Sequence, residues 1–238
     1  MLSRSGALAA WAVGAMVLAG TGWKGGGVLA AFFVSSSLVS RGAPAPRGLD
    51  PKGDRRDHRQ VFANGGVAAV GALLGFRDAE LGLWLLTAPL AAAAADTWAT
   101  ALGARSATPP RLILGGAVVP SGTSGGVTPL GSAGAAAGAL VVAAAGALAG
   151  GTLTLLPVAA LVGFGGMALD SALGAAAQGR FRCPRCGERS EWRRHRCGSE
   201  TIPQGGLPWL DNDGVNLAAT AGAACLAWAA WHWLCPCS

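Results

Sequence analysis

Charge is what this sequence has least of: 13% of its 238 residues are Asp, Glu, Lys or Arg, against 52% that are hydrophobic. A soluble domain carries about twice that share of charge, spread over polar faces. With a positive mean hydropathy, this scarcity excludes an ordinary soluble enzyme or binding module. No fixed-period repeat is present. The nucleotide-binding P-loop is also missing: it needs Lys after the last Gly of its loop, and the nearest stretch, "PSGTSGGVTPLGSAG" (120–134), has none.

What the chain has instead is long apolar runs. Candidate spans cover 5–23, 26–40, 60–76, 80–102, 126–149, 152–178 and 214–234, several of them near the roughly 20 residues that cross a bilayer as helix. The expected fold is all-α, a polytopic integral membrane helical bundle of about seven transmembrane helices. It occupies 1–238 as one domain, with a Cys/His loop, 179–212, inside it. Arg4 and the apolar run ending "VLAGTG" have some look of a signal peptide, but no clear small-x-small cleavage site precedes Thr21. Removal of that helix would leave six spans.

A net charge of +6 and a pI near 9.5 raise nucleic acid as a partner. The positions of the charges argue against it. With the N-terminus in the cytoplasm, the inner segments are the N-terminal tail and 41–59, 103–125 and 179–213. They hold 16 of the 18 Lys and Arg residues, leaving out only Lys24 and Arg77. This is the positive-inside bias that orients inserted helices. The expected location is therefore a multi-pass membrane protein, in the plasma membrane if the source is prokaryotic, with the N-terminus and polar loops cytoplasmic. The many glycines within spans, as in "GALVVAAAGALAGG", let helices approach closely in lipid. Trp84, Trp98, Trp209, Trp228, Trp231 and Trp233 fall near span ends, where indoles favour the interface.

Acids are rarer still. Of 12, only Asp96 and Asp170 fall in the interior of apolar spans, while Glu80 opens one and Asp213 stands at the start of the last. A carboxylate in such a place requires a metal, a cation or hydrogen-bond donors to offset its desolvation. Both intramembrane acids lie toward the cytoplasmic ends of their spans, and Mg²⁺, which takes one or two carboxylates plus phosphate oxygens, is the natural partner. Plain interhelical hydrogen bonding to Ser or Thr is the competing reading.

The inner loops supply the rest. Ser121, Thr123, Ser124 and Thr128 offer hydroxyls, and Gly122, Gly125 and Gly126 offer backbone N–H groups ahead of a helix, the ingredients of an anion site or of a simple turn. In "KGDRRDHRQVFANGG", Lys52, Arg55, Arg56 and Arg59 are candidate phosphate clamps, and Gln60 and Asn64, four apart, share a helix face. In "WLDNDGVNLAAT", Asp213 and Asn216 share a face beside Asn212, while an N-cap accounts for Asp211 or Asp213. Cys183, Cys186, His195 and Cys197 form C-x₂-C-x₈-H-x-C, which reads as a structural Zn²⁺ site in a reducing compartment, with free thiols as the alternative.

Read in order, "RRDHRQVFANGG", "ADTWATALG", "PSGTSGGVTPLGSAGAAAG", "GFGGMALDSALGAAAQG" and "WLDNDGVNLAA" resemble the family catalogued as domain of unknown function 92, which includes transmembrane protein 19 and the plant phytyl-phosphate kinase. "DTWATALG" also looks like an element of the polyprenol and dolichol kinases. The resemblance implies phosphoryl transfer from a nucleoside triphosphate (CTP, UTP or ATP) to an isoprenoid monophosphate lipid, giving the diphosphate. It implies Arg56, Asp57, Gln60, Asn64, Thr97, Ser121, Thr123, Thr128, Asn212 and Asn216 as binding residues. Asp96, Asp170 and Asp213 would be catalytic and hold Mg²⁺. One departure is Ala101, where many relatives have Glu. The competing reading is a membrane transporter or lipid-binding protein that uses Asp96 and Asp170 for ion coupling.

Overall fold

The computed structural model describes residues 2–44 and 57–235. The seven apolar runs become six long helices because the first two join. Gly22, at φ 62° and ψ −155°, interrupts α1 (Arg4–Ser40) without ending it, so its two arms match the first two expected spans. A residue with a Cβ rarely takes that backbone conformation. Asp57 begins α2 (His58–Leu73), its carboxylate accepting the Gln60 N–H at 3.0 Å. Asp78 likewise begins α3 (Ala79–Gly103), accepting from the N–H groups of Glu80 and Leu81. Then follow α4 (Pro129–Gly150), α5 (Leu155–Ala176) and α6 (Asn212–Leu234). By length and apolarity, α1, α4, α5 and α6 suffice to cross a membrane.

The centre is α3. It is apolar all round through Leu90 and the alanines after it, and a helix with no polar face is stable only when surrounded. Each residue from 82 to 95 is buried, and α1, α2, α4, α5 and α6 all pack on it. Glycines make the approach possible. A Cβ on Gly138 of α4 would stand 2.9 Å from the Ala94 carbonyl oxygen, and one on Gly166 of α5 would stand 2.5 Å from Ala92 Cβ. The outer surface carries Leu148, Leu161, Trp11 and Trp23, largely exposed, as a lipid-facing rim requires.

Two small antiparallel sheets lie in the loops. One pairs β1 (Arg111–Leu112) with β2 (Gly126–Val127), and the other places β3 (Arg180–Arg182) between β4 (Arg189–Ser190) and β5 (Ile202–Gly205). They account for two shifted boundaries. The fifth expected span starts at 129 rather than 126 because Gly126 and Val127 pair with β1 and Thr128 caps α4. The sixth ends at Ala176, after which Gln178 bridges to Leu207. Arg105 fastens the same end of the bundle, its guanidinium donating to the carbonyls of Val39, Arg41 and Ala101. The alternation of chain direction gathers the N-terminal ends of α2, α4 and α6 with the C-terminal ends of α3 and α5 around one cavity.

Candidate functional site

Asp96 and Asp170 meet in that cavity, which measures about 410 Å³. Asp96 is seven residues from the end of α3 and Asp170 six from the end of α5, so each lies about 10 Å from its helix terminus along the axis. Both carboxylates line the same space. Asp170 Oδ2 is buried and has no hydrogen-bond partner, and so are Asn216 Oδ1 and Gln178 Nε2, whose residues also line the cavity and are 5% and 2% exposed. Among the described residues, three acids (Asp96, Asp170 and Glu191) and no Lys or Arg line the space. Buried polar atoms normally find partners; here the donors and acceptors are set around an opening.

Most sequence-predicted residues converge there: Gln60 and Asn64 from α2, Asp96 and Thr97 from α3, Ser121, Thr123 and Thr128 from the loop before α4, Asp170 from α5, and Asn212 and Asn216 from α6. Several are held in place by their own turns. Asn64 Nδ2 donates to the Gln60 carbonyl, Thr97 Oγ1 to that of Ala93, Thr123 Oγ1 to that of Pro120, and Thr128 Oγ1 accepts the Gly131 N–H. Thr220, one turn beyond Asn216, donates to Ala63 O at 3.0 Å and so ties α6 to α2 beneath the cavity.

Others stand apart. Asp57 is the cap of α2 and does not line the cavity. Asp213 is buried in the first turn of α6 and is not among the residues that line the cavity. Arg59 faces Asp211, at 3.7 Å, rather than the cavity, and Asp211 caps α6 through the Gly214 N–H. His58 contacts Ser5. Arg56, with Lys52 and Arg55, lies outside the described residues.

The loop between α5 and α6 forms a second centre. Cys183, Cys186, His195 and Cys197 bring their ligand atoms within 4.8 Å of one another, and all three cysteines are free. The C-x₂-C turn closes with Cys183 N–H donating to the Glu188 carbonyl and Gly187 at φ 72°. His195 Nδ1 lies 3.0 Å from Cys197 Sγ, while Nε2 lies 3.2 Å from Glu188 Oε2, which Arg196 also contacts at 2.9 Å. A carboxylate on the far nitrogen fixes the tautomer that leaves Nδ1 free for a metal. Hydrogen bonding from His195 holds the Cys197 thiol down to about 5, whereas the hydrogen bond with Cys197 pushes Cys186 up to about 11. Three thiols and an imidazole are soft donors in tetrahedral number, and the cluster can hold a metal such as zinc.

A family model described as "Integral membrane protein DUF92" matches residues 1–224. The chain belongs to this family. Among its relatives, Protein PGR of Arabidopsis thaliana is 29% identical over 233 residues, covering 83% of this chain and 78% of that protein. An uncharacterized membrane protein of Methanocaldococcus jannaschii is 31% identical over 178 residues, covering 73% and 74%. No solved structure matches.

Sequence reasoning gave no role to Gln178 or Glu191, which also line this DUF92 cavity. Gln178, two residues past the end of α5, falls in the block "GFGGMALDSALGAAAQG" that carries Asp170 but adds no motif of its own. Glu191 sits in the Cys/His loop, and Ser124 Oγ donates to its Oε1, a contact 67 positions apart that no local pattern encodes. Ala101 also lines the cavity.

Proposed function

We propose that this DUF92 protein is a membrane-embedded kinase that transfers a phosphoryl group from a nucleoside triphosphate to an isoprenoid monophosphate. The observation that carries the reading is a single cavity in which two intramembrane carboxylates, with no Lys or Arg among the described lining residues, face the N-terminal ends of α2, α4 and α6. Helix N-termini favour anions and C-termini favour cations. The first suit phosphates; the carboxylates at the ends of α3 and α5 suit a hard divalent ion. Among the described lining residues the side chains able to ligate an ion offer carboxylate, amide and hydroxyl oxygens, without Cys or His, which fits Mg²⁺. Asp96 and Asp170 would hold it, and when bound it would neutralise phosphate charge. Asp213, which does not line the cavity, is left out of that set.

An oxygen of the acceptor phosphate attacks the terminal phosphorus of the donor. A new P–O bond forms, the bond to the bridging oxygen breaks, and the nucleoside diphosphate departs with that electron pair. The acceptor is already an anion, so no general base is needed, and catalysis reduces to positioning and charge stabilisation. Ser121, Gln60, Asn64, Asn212 and Asn216 orient the phosphates. Thr97, Thr123 and Thr128, whose hydroxyls are engaged by their own turns, shape the wall. The lipid tail lies among the Gly- and Ala-lined helices. In this reading the site faces the cytoplasm, where nucleotides are.

Ion-coupled transporters place their acids at helix interruptions near the midplane. Here the one non-helical residue inside a long helix, among the described residues, is Gly22 in α1, and both acids lie in the last third of continuous helices instead. Purified protein given radiolabelled CTP, UTP or ATP with Mg²⁺ and phytyl or geranylgeranyl phosphate should form labelled lipid diphosphate from at least one pair. Absence of product from every pair, in folded protein, overturns the kinase reading.

The Cys/His cluster is proposed as a structural zinc site. Elemental analysis should return one zinc per chain, and Cys183→Ser should lose it. Protein with normal expression and no zinc contradicts the assignment.

A further inference from the structure

The loop between α5 and α6 builds a second cavity, about 460 Å³, that the chemistry above does not use. Arg180, Arg182 and Arg189 line one side, Thr123 and Ser124 the other, and these last two, with Glu191, also line the carboxylate cavity. Arg182 and Arg189 are direct partners across the β3–β4 pair. Like charges facing each other across strands are destabilising, and the one acid that shares the lining among the described residues, Glu191, is engaged by Ser124. Among the described residues none of the three arginines makes an ion pair. Glu188 is engaged by His195 and Arg196, and Glu191 accepts from Ser124. All three guanidinium groups are carried on exposed residues.

We propose that this arginine-lined cavity binds the phosphate chain of a soluble polyphosphate ligand. Planar guanidinium forks match phosphate oxygens two at a time, and three on one small sheet suit a chain of phosphates better than a single headgroup. The walls come only from loops and strands outside the apolar helices, so the ligand arrives from water. The inference rests on the kinase reading: a donor held here by its phosphates passes the shared Thr123, Ser124 and Glu191 wall into the carboxylate cavity. Because the β3–β4 turn is the Cys183–Cys186 knuckle, the arginine array is set by the metal cluster, and the site depends on its metal.

Inorganic tripolyphosphate titrated calorimetrically into the full-length, metal-loaded protein in detergent tests this. Arg189→Gln should weaken binding about tenfold and the Arg180→Gln/Arg189→Gln pair about a hundredfold. Neither Arg180 nor Arg189 has a side-chain hydrogen bond to lose among the described residues, whereas Arg182 donates to Gly187 O and is left intact. Arg185→Gln, on the same loop but off the cavity, should bind as the wild type does. Unchanged binding in the arginine variants, an equal loss in Arg185→Gln, or arginine-dependent binding of dodecyl phosphate alone would each overturn the proposal. Its fate separates from that of the kinase. Arginine-dependent tripolyphosphate binding without any diphosphate product leaves this site standing alone. Product formation with an unchanged nucleotide KM in the variants leaves only the kinase.

Discussion

Asp170→Asn is expected to cut phosphoryl transfer about 100- to 1000-fold, the cost of losing one charged group aimed at the reacting phosphates, while the protein folds as well as before or better. The two halves have one cause. Asp170 Oδ2 is buried without a partner, in the same cavity as Asp96. An unpaired buried carboxylate opposes folding, so the isosteric amide removes a cost and breaks no hydrogen bond. Function is lost because a neutral amide does not hold a divalent ion as a carboxylate does. Asp96→Asn should behave in the same way. Rates from the lipid-diphosphate assay and thermal unfolding in detergent give the two readouts. A rate within threefold of wild type excludes the carboxylate from the centre, and a collapse in stability would make it a structural acid instead.

Gly125→Ala should disable the site from the opposite wall. Gly125 sits at φ 77°, and a Cβ there would stand 2.6 Å from the Ser171 carbonyl oxygen and 2.5 Å from Ala175 Cβ. The loop lies flat on α5, one residue from Asp170, only because that hydrogen is not a methyl. The methyl lifts the loop, and with it Ser121 and Thr123, away from the carboxylates. A displacement of about 1 Å at catalytic groups costs about 100-fold in rate. Gly115→Ala supplies the control. It shares the positive φ, 85°, but a Cβ there meets nothing within 4 Å, so it carries the backbone strain, about 1 kcal/mol, without the displacement. Equal activities in the two variants would show that the loop's seat on α5 has no functional role.

The sequence makes the bundle legible because hydropathy is a local property: an apolar run long enough to cross lipid must be helical to satisfy its own backbone. Six of the seven expected spans stop within a few residues of an observed helix end, and the first two differ only in sharing α1 through Gly22. The shifted start of α4 depends on β1, an element too short to leave a pattern. The carboxylate pair was legible for a different reason, since a lone acid in an apolar run needs explaining wherever it falls. Glu191 was not. It lies in a charged loop where an acid is unremarkable, and only the folded Cys/His unit carries it to Ser124. Arg59 misled in the reverse direction, because a cation beside a phosphate-like loop looks available until Asp211 is found opposite it.

Whether Asp96 and Asp170 form one centre is tested most directly by Mn²⁺, which takes the same oxygen ligands as Mg²⁺ and is visible by electron paramagnetic resonance. Titrated into the purified protein, wild type should bind it at a site that either Asp96→Asn or Asp170→Asn alone eliminates. Unaltered Mn²⁺ binding in either variant would mean that the two acids do not share an ion.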